Sequence, residues 1–119
     1  MMLRTFNIYE PPAADDGLRI AVVRHLPRGV RKADRQFDVW LPILAPSAEL
    51  LKTVVETKRL TPAFIRSYRA EMNRPDPRHV IELLASLAAR QPLALGCHCT
   101  DESNCHRTLL ADLVRAAGS

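Results

Sequence analysis

Two rhythms of apolar positions divide the chain. LRTFNI (3–8) and LRIAVVR (18–24) are short β-rich runs, the second almost continuously apolar, as in a strand covered on both faces. Between them EPPAADDG (10–17) carries two prolines and ends in glycine, which reads as a loop. HLPRGVRKADR (25–35) leaves the second run as another loop. QFDVWLPIL (36–44) fits neither rhythm, and Pro42 argues against a long helix there. From Ser47 the spacing turns helical. Ser47 caps a stretch with Leu50, Leu51, Val54 and Val55 on one stripe. Thr61–Pro62 is an N-cap followed by proline at the first helical position, opening a helix with Phe64, Ile65, Tyr68 and Met72 inward. Asp76–Pro77 repeats the signal for a helix with Val80, Leu83, Leu84 and Leu87 inward, ending before Pro92. LALGC (93–97) reads as a short buried strand. A last helix from about Cys105, capped by Ser103 or Asn104, carries Leu109, Leu110, Leu113 and Val114 and stops near Gly118.

The order β, β, loop, three helices, β, helix predicts a small layered α/β fold with a short, mostly parallel sheet packed by about four helices. The long helical stretch before residue 93 can serve as the crossover that parallel strands need. The 119 residues suit one domain spanning 1–119, with no repeat, linker or low-complexity tract. Hydrophobic residues make up 47% and charged residues 25%, so neither disorder nor a disulfide scaffold is indicated. No apolar run reaches the roughly 18–20 residues that span a bilayer, and the N-terminus has no secretory h-region. The expected location is the cytoplasm, where the three cysteines are thiols, metal ligands or redox groups before they are structural disulfides.

The net charge of +4 changes the picture because it is concentrated. Arg24, Arg28, Arg31, Lys32 and Arg35 face only Asp34 between residues 24 and 35, an excess equal to that of the whole chain. Such a loop suits an anionic ligand or nucleic acid, and equally a solvated surface. Phe37 and Trp40 are the only aromatic residues near it, which weakens a single-stranded nucleic-acid reading.

The densest chemistry is GCHCTDESNCHRT (96–108), which holds every cysteine of the chain and two of its four histidines. It follows a strand and opens a helix, where ligands of α/β sheets bind. On that strand Leu93, Leu95, Cys97 and Cys99 are expected on one face. Four readings stand side by side. An anion pocket would use Arg24, Arg28, Arg107, Thr108 and the free N–H groups of the helix start. A thiol site would use Cys105, its pKa lowered by the helix end and Arg107, with Cys99 as partner. The seven residues between Cys99 and Arg107 exceed the spacing of the arginine-bearing phosphatase loop. Zinc through Cys97, Cys99, Cys105 and His106 has the right ligand types, but one residue separates the first pair and none the last, against the usual two to four. Finally, small cysteines also simply fill buried strand ends.

IYEPPAADDG (8–17), RHLPRG (24–29), DVWLPILAPS (38–47), FIRSYRAEM (64–72) and TDESNCH (100–106) together resemble the YeaO-like branch of the domain of unknown function 488 family. The resemblance implies a compact α/β domain and carries over no established activity. Matching positions are Arg24, Pro27, Arg28, Gly29, Trp40, Pro46, Ser47, Tyr68, Glu71, Asp101 and His106. The chain departs at Val23, usually aspartate in the family, at Leu26, usually tryptophan, and at the three cysteines. Cys105–Arg107 resembles the other branch. A shared role is thus expected of Arg24, Arg28, Asp101 and His106 before the cysteines. The leading expectation is a basic pocket for a small anionic or phosphorylated ligand. If the protein is an enzyme, His106 is the general acid or base, Asp101 its orienting partner, and Cys105 a further catalytic candidate. The alternatives are a nucleic-acid module on loop 24–35 and a thiol redox or zinc protein. No cofactor is required by the sequence, and oligomeric state is unreadable from it.

Overall fold

The last strand in the sequence, Leu93–Cys97, lies inside the sheet and is buried at every position. Its apolar run explains why: both faces are covered, as in parallel sheets generally. In chain order the strands are β1 (Leu3–Asn7), β2 (Leu18–Ala21), β3 (Val39–Trp40) and β4 (Leu93–Cys97). The computed structural model describes residues 1–27, 31–57, 59–99 and 105–118, the side chains of 55–57 excepted. Among these residues the sheet is four-stranded, in the order β1-β4-β2-β3, with every pair parallel. Leu93 aligns with Leu3 on one side and Leu18 on the other, and Gly96 with Phe6 and Ala21. The carboxyl ends of β2 and β4 are therefore neighbours in the middle of the sheet.

Four α-helices accompany the described strands: α1 (Ala48–Thr57), α2 (Pro62–Met72), α3 (Pro75–Ala88) and α4 (His106–Ala117). Ser47 Oγ accepts from the Leu50 N–H at 3.2 Å, and Thr61 Oγ1 from the Phe64 N–H at 3.1 Å, so both expected caps form. The larger apolar cluster joins Ile20, Val22, Leu93 and Leu95 to Leu50, Phe64, Leu84 and Leu110, one from each helix. By strand alternation Ala21 and Val23 face the other way. There they meet Phe6, Ile8, Ala94, Cys97 and Cys105 in a smaller cluster, against which Leu26 and Phe37 pack.

The structure departs from the periodicity in four places. The ambiguous 36–44 stretch holds the edge strand β3 and a 3-10 turn, Pro42–Leu44. Helix α3 starts at Pro75, two residues earlier than Asp76–Pro77 suggested, and turns Ile81, Leu84, Ala85 and Ala88 inward. Leu83 is left 58% exposed, because a mixed alanine–leucine stripe satisfies two helical faces and packing chooses one. Cys105, not Ser103 or Asn104, is the N-cap of α4, in extended conformation and with no side-chain cap bond. Cys97 groups with Ala94 rather than with Leu93 and Leu95, because the strand end already turns toward α4.

Gly17 makes the entry to β2. Its φ is +65°, a left-handed conformation in which a side chain is disfavoured. A Cβ there would also stand 2.1 Å from the Pro92 carbonyl oxygen, which itself accepts from the Leu18 N–H. Glycine thus lets β2 start directly beside β4.

Candidate functional site

The carboxyl ends of β2 and β4 and the first turn of α4 converge on one small region. Cys97 closes β4, and Cys99 follows two residues later with its Sγ 3.6 Å from that of Cys97. Cys105 caps α4, and the side chain of His106 turns back to the sheet. His106 Nε2 lies 2.7 Å from the Val22 carbonyl oxygen. A carbonyl can only accept, so Nε2 carries a proton and donates it. In the neutral ring this leaves Nδ1 unprotonated, 4.0 Å from Cys105 Sγ. The edge of the His106 ring meets Tyr68 with centroids 5.8 Å apart, and Tyr68 donates from its hydroxyl to the Leu44 carbonyl at 2.8 Å.

His106 is 6% and Arg107 3% exposed. Arg107 Nη1 donates to the carbonyls of Cys99 at 3.0 Å and Cys97 at 3.3 Å, tying α4 to the strand end. Its Nε has no hydrogen-bond partner among the described residues. Arg24 is half-buried and donates through Nε to the Pro46 carbonyl at 2.6 Å and through Nη2 to that of Ala45. Thr108 lies in the first turn of α4, half-buried, where it lines a separate polar cleft with Arg4, Thr5 and Arg115. Arg28 and Asp101 lie outside the described residues.

Between these parts is a cavity of about 110 Å³ lined by Val23, Arg24, His25, Pro46, Leu51, Cys97, His98, Cys99 and His106. His25 and His98 stand exposed at its rim, and Cys97 and His106 are buried. Its place, at the carboxyl ends of the two central strands, is where open α/β sheets bind ligands. A larger cavity of about 670 Å³ shares Arg24 but is otherwise walled by residues such as Ile43, Glu71, Met72 and Arg74, with no thiol or imidazole. The smaller one holds the chemistry.

The three thiols are free and titrate as a group. Hydrogen bonds from Cys105 and then Cys97 stabilise a thiolate on Cys99 and hold its pKa far below the usual thiol value, against the effect of partial burial. Cys105 is pushed far up, by its bonds to Cys97 and Cys99 and then by burial. For Cys97 the interaction with Cys105 lowers the pKa, but the bond with Cys99 and burial outweigh it, leaving it pushed up to about 11. Of the three, Cys99 is the most solvent-accessible and the one whose ionisation is favoured. Cys105, expected to be the activated thiol at the helix start, instead has its ionisation disfavoured. Burial above all, opposed by the bond to Val22, lowers the pKa of His106 and keeps the ring neutral.

Two sets of side chains bring their ligand atoms within 4.8 Å of one another, Cys97–His98–Cys99 and Cys97–Cys105–His106, and such a cluster could hold a metal ion. Residue types alone flagged Cys97, Cys99, Cys105 and His106. His25 and His98 at the rim were missed; His98 is visible only as the residue between two cysteines, and His25 only once β2 is known to end beside β4. Among the described residues no helix is long and apolar enough to cross a membrane.

Comparison with known proteins places these features in a family. "Uncharacterized protein YeaO" of Escherichia coli (strain K12) is 32% identical over 116 residues, covering 98% of this chain and 99% of the relative. "Uncharacterized protein Rv3073c" of Mycobacterium tuberculosis is 27% identical over 112 residues, covering 94% and 92%. A Mycobacterium bovis protein, "Uncharacterized protein Mb3100c", matches to the same extent. No solved structure matches. The model of the family described as "Active DUF488-N3 subclade" matches residues 3–118. Nearly the whole chain is covered by that match, and the chain belongs to the DUF488 family.

Proposed function

We propose that the cavity between the carboxyl ends of β2 and β4 binds a small anionic or phosphorylated ligand. The observation that supports this reading is the cavity's lining, to which Arg24, His25 and His98 contribute around a space of about 110 Å³. That volume suits a single oxyanion group with the rest of a ligand outside. The first turn of α4 adds the positive end of a helix dipole. Arg107 acts here as a positioning residue: it is buried against the Cys97 and Cys99 carbonyls and holds the strand end to α4. His106 likewise forms the floor, its Nε2 proton committed to Val22. Free thiols suit a reducing compartment, and we place the protein in the cytoplasm.

The test is calorimetric titration of the metal-free protein with inorganic phosphate and with AMP, against a chloride control. Saturable one-to-one binding is expected, weakened about tenfold or more in Arg24→Gln, since a hydrogen bond to a charged group contributes about 1.5–3 kcal/mol. Far-UV circular dichroism checks that the variant keeps its fold after losing the bond to Pro46. Phosphate binding no stronger than chloride would sink the reading. Oligonucleotide binding that falls steeply with salt and depends on Arg31, Lys32 and Arg35 instead of Arg24 would favour the basic loop as a nucleic-acid surface.

A further inference from the structure

We infer that Cys97, Cys99, Cys105 and His106 form a binding site for one thiophilic divalent cation of the zinc type. Cys97, Cys99 and His106 also line the cavity of the anion reading, but the inference stands on the separations of their ligand atoms and does not depend on that reading.

Cys97, Cys105 and His106 already bring their ligand atoms together, and Cys99 joins them through Cys97. Around a tetrahedral zinc with Zn–S bonds of about 2.3 Å, neighbouring sulfurs stand about 3.8 Å apart. Cys97 Sγ and Cys99 Sγ are 3.6 Å apart, and Cys105 Sγ and His106 Nδ1 are 4.0 Å apart. Cys97, Cys105 and His106 lie within 4.8 Å of one another. The sequence objection was the spacing of the pairs, and the backbone answers it. Cys97 is the last residue of β4 and Cys99 lies just beyond it, where the chain brings the two sulfurs to 3.6 Å. Cys105 is extended as the N-cap while His106 is the first helical residue, and this change of conformation lets two adjacent side chains converge.

The imidazole is set as a metal-binding histidine is set. Such a ring donates its second N–H to a carboxylate, a backbone carbonyl or water, which fixes both tautomer and orientation. Here Nε2 donates to the Val22 carbonyl at 2.7 Å, and Tyr68 packs against the ring. The lone pair of Nδ1 is thereby directed to the side where Cys105 lies. Arg107 holds the Cys97 and Cys99 carbonyls, so the backbone carrying two ligands is itself fixed. The cavity beside Cys99 leaves an entry path.

The experiment uses the full chain, reduced and stripped of metal, titrated with Co²⁺ as the spectroscopic probe and then with Zn²⁺. One equivalent of Co²⁺ per chain is expected, with thiolate-to-cobalt charge-transfer absorption, tetrahedral visible bands, and full displacement by Zn²⁺. Cys99→Ser, at a half-buried position, should weaken binding at least about tenfold and reduce the charge-transfer intensity while the fold is kept. In the unaltered chain, zinc should slow the reaction of all three cysteines with a thiol reagent. Failure to bind Co²⁺ in a defined ratio, or equal thiol reactivity with and without zinc, overturns the inference even if cysteine variants do not fold. Unchanged Co²⁺ affinity in Cys99→Ser overturns this ligand set. Phosphate binding by the metal-free chain is read separately, so either proposal can fail alone.

Discussion

Gly96 shows how tightly the site is backed by the core. A Cβ built there would stand 2.2 Å from the tip of the Phe6 ring, closer than packed atoms allow. The Arg19 guanidinium lies 3.9 Å from the centroid of that same ring, is 2% exposed, and donates to the Glu10 and Gln36 carbonyls. Phe6 therefore has no room to retreat from an added methyl group. Gly96→Ala should destabilise the fold by about 1–3 kcal/mol through overpacking, read as a lower urea midpoint. An unchanged midpoint would mean that the ring moves freely and the packing is looser than described. Since Gly96 directly precedes Cys97, the variant should also speed the reaction of the Cys99 thiol, whose position depends on the strand end.

Among the elements, the starts of α1 and α2 were legible because they carry chemical signals that act locally, whereas α3 and α4 start elsewhere than their signals suggested. Ser47 and Thr61 cap where their hydroxyls say they should, and each cap needs only the next three residues to form. Thr61→Ala removes an acceptor from the Phe64 N–H and should cost about 1 kcal/mol of stability. A smaller loss than a few tenths, measured by denaturation, would show that Pro62 alone sets the start of α2. What the sequence could not declare was non-local. Val39–Trp40 forms a strand only because Ile20 and Ala21 are there to pair with it. The same holds for the site. The cysteine and histidine content of residues 97–106 was plain, but that ionisation is favoured at Cys99 and disfavoured at Cys105 follows from the bonds among the three thiols, which no spacing reports. His106, the candidate acid–base group, is likewise buried, because β2 ends where its Nε2 finds the Val22 carbonyl.

At the scale of the molecule, the decisive feature is that β4 joins the two halves of the sheet. β1 has its sheet hydrogen bonds with β4, and β3 reaches the rest of the sheet through β2. Strands from the first 21 residues thus wait for a strand that begins at Leu93: without it β1 has no sheet partner, and β2 keeps only the two-residue pairing with β3. Such an arrangement should unfold in one step, because no subset of elements keeps both a covered strand and an apolar cluster. Trp40, the single tryptophan, reports on this from the far edge: its Nε1 donates to the Val23 carbonyl at 2.7 Å, one residue from the carbonyl that holds His106. Urea denaturation followed by tryptophan fluorescence and by far-UV circular dichroism should give coincident midpoints. If fluorescence changes first while the dichroism persists, β3 opens as a separate unit. The Val22–Val23 backbone would then be free to move beneath the imidazole, and the cavity at the strand ends would be a site that opens with the sheet edge instead of one held rigid by the core.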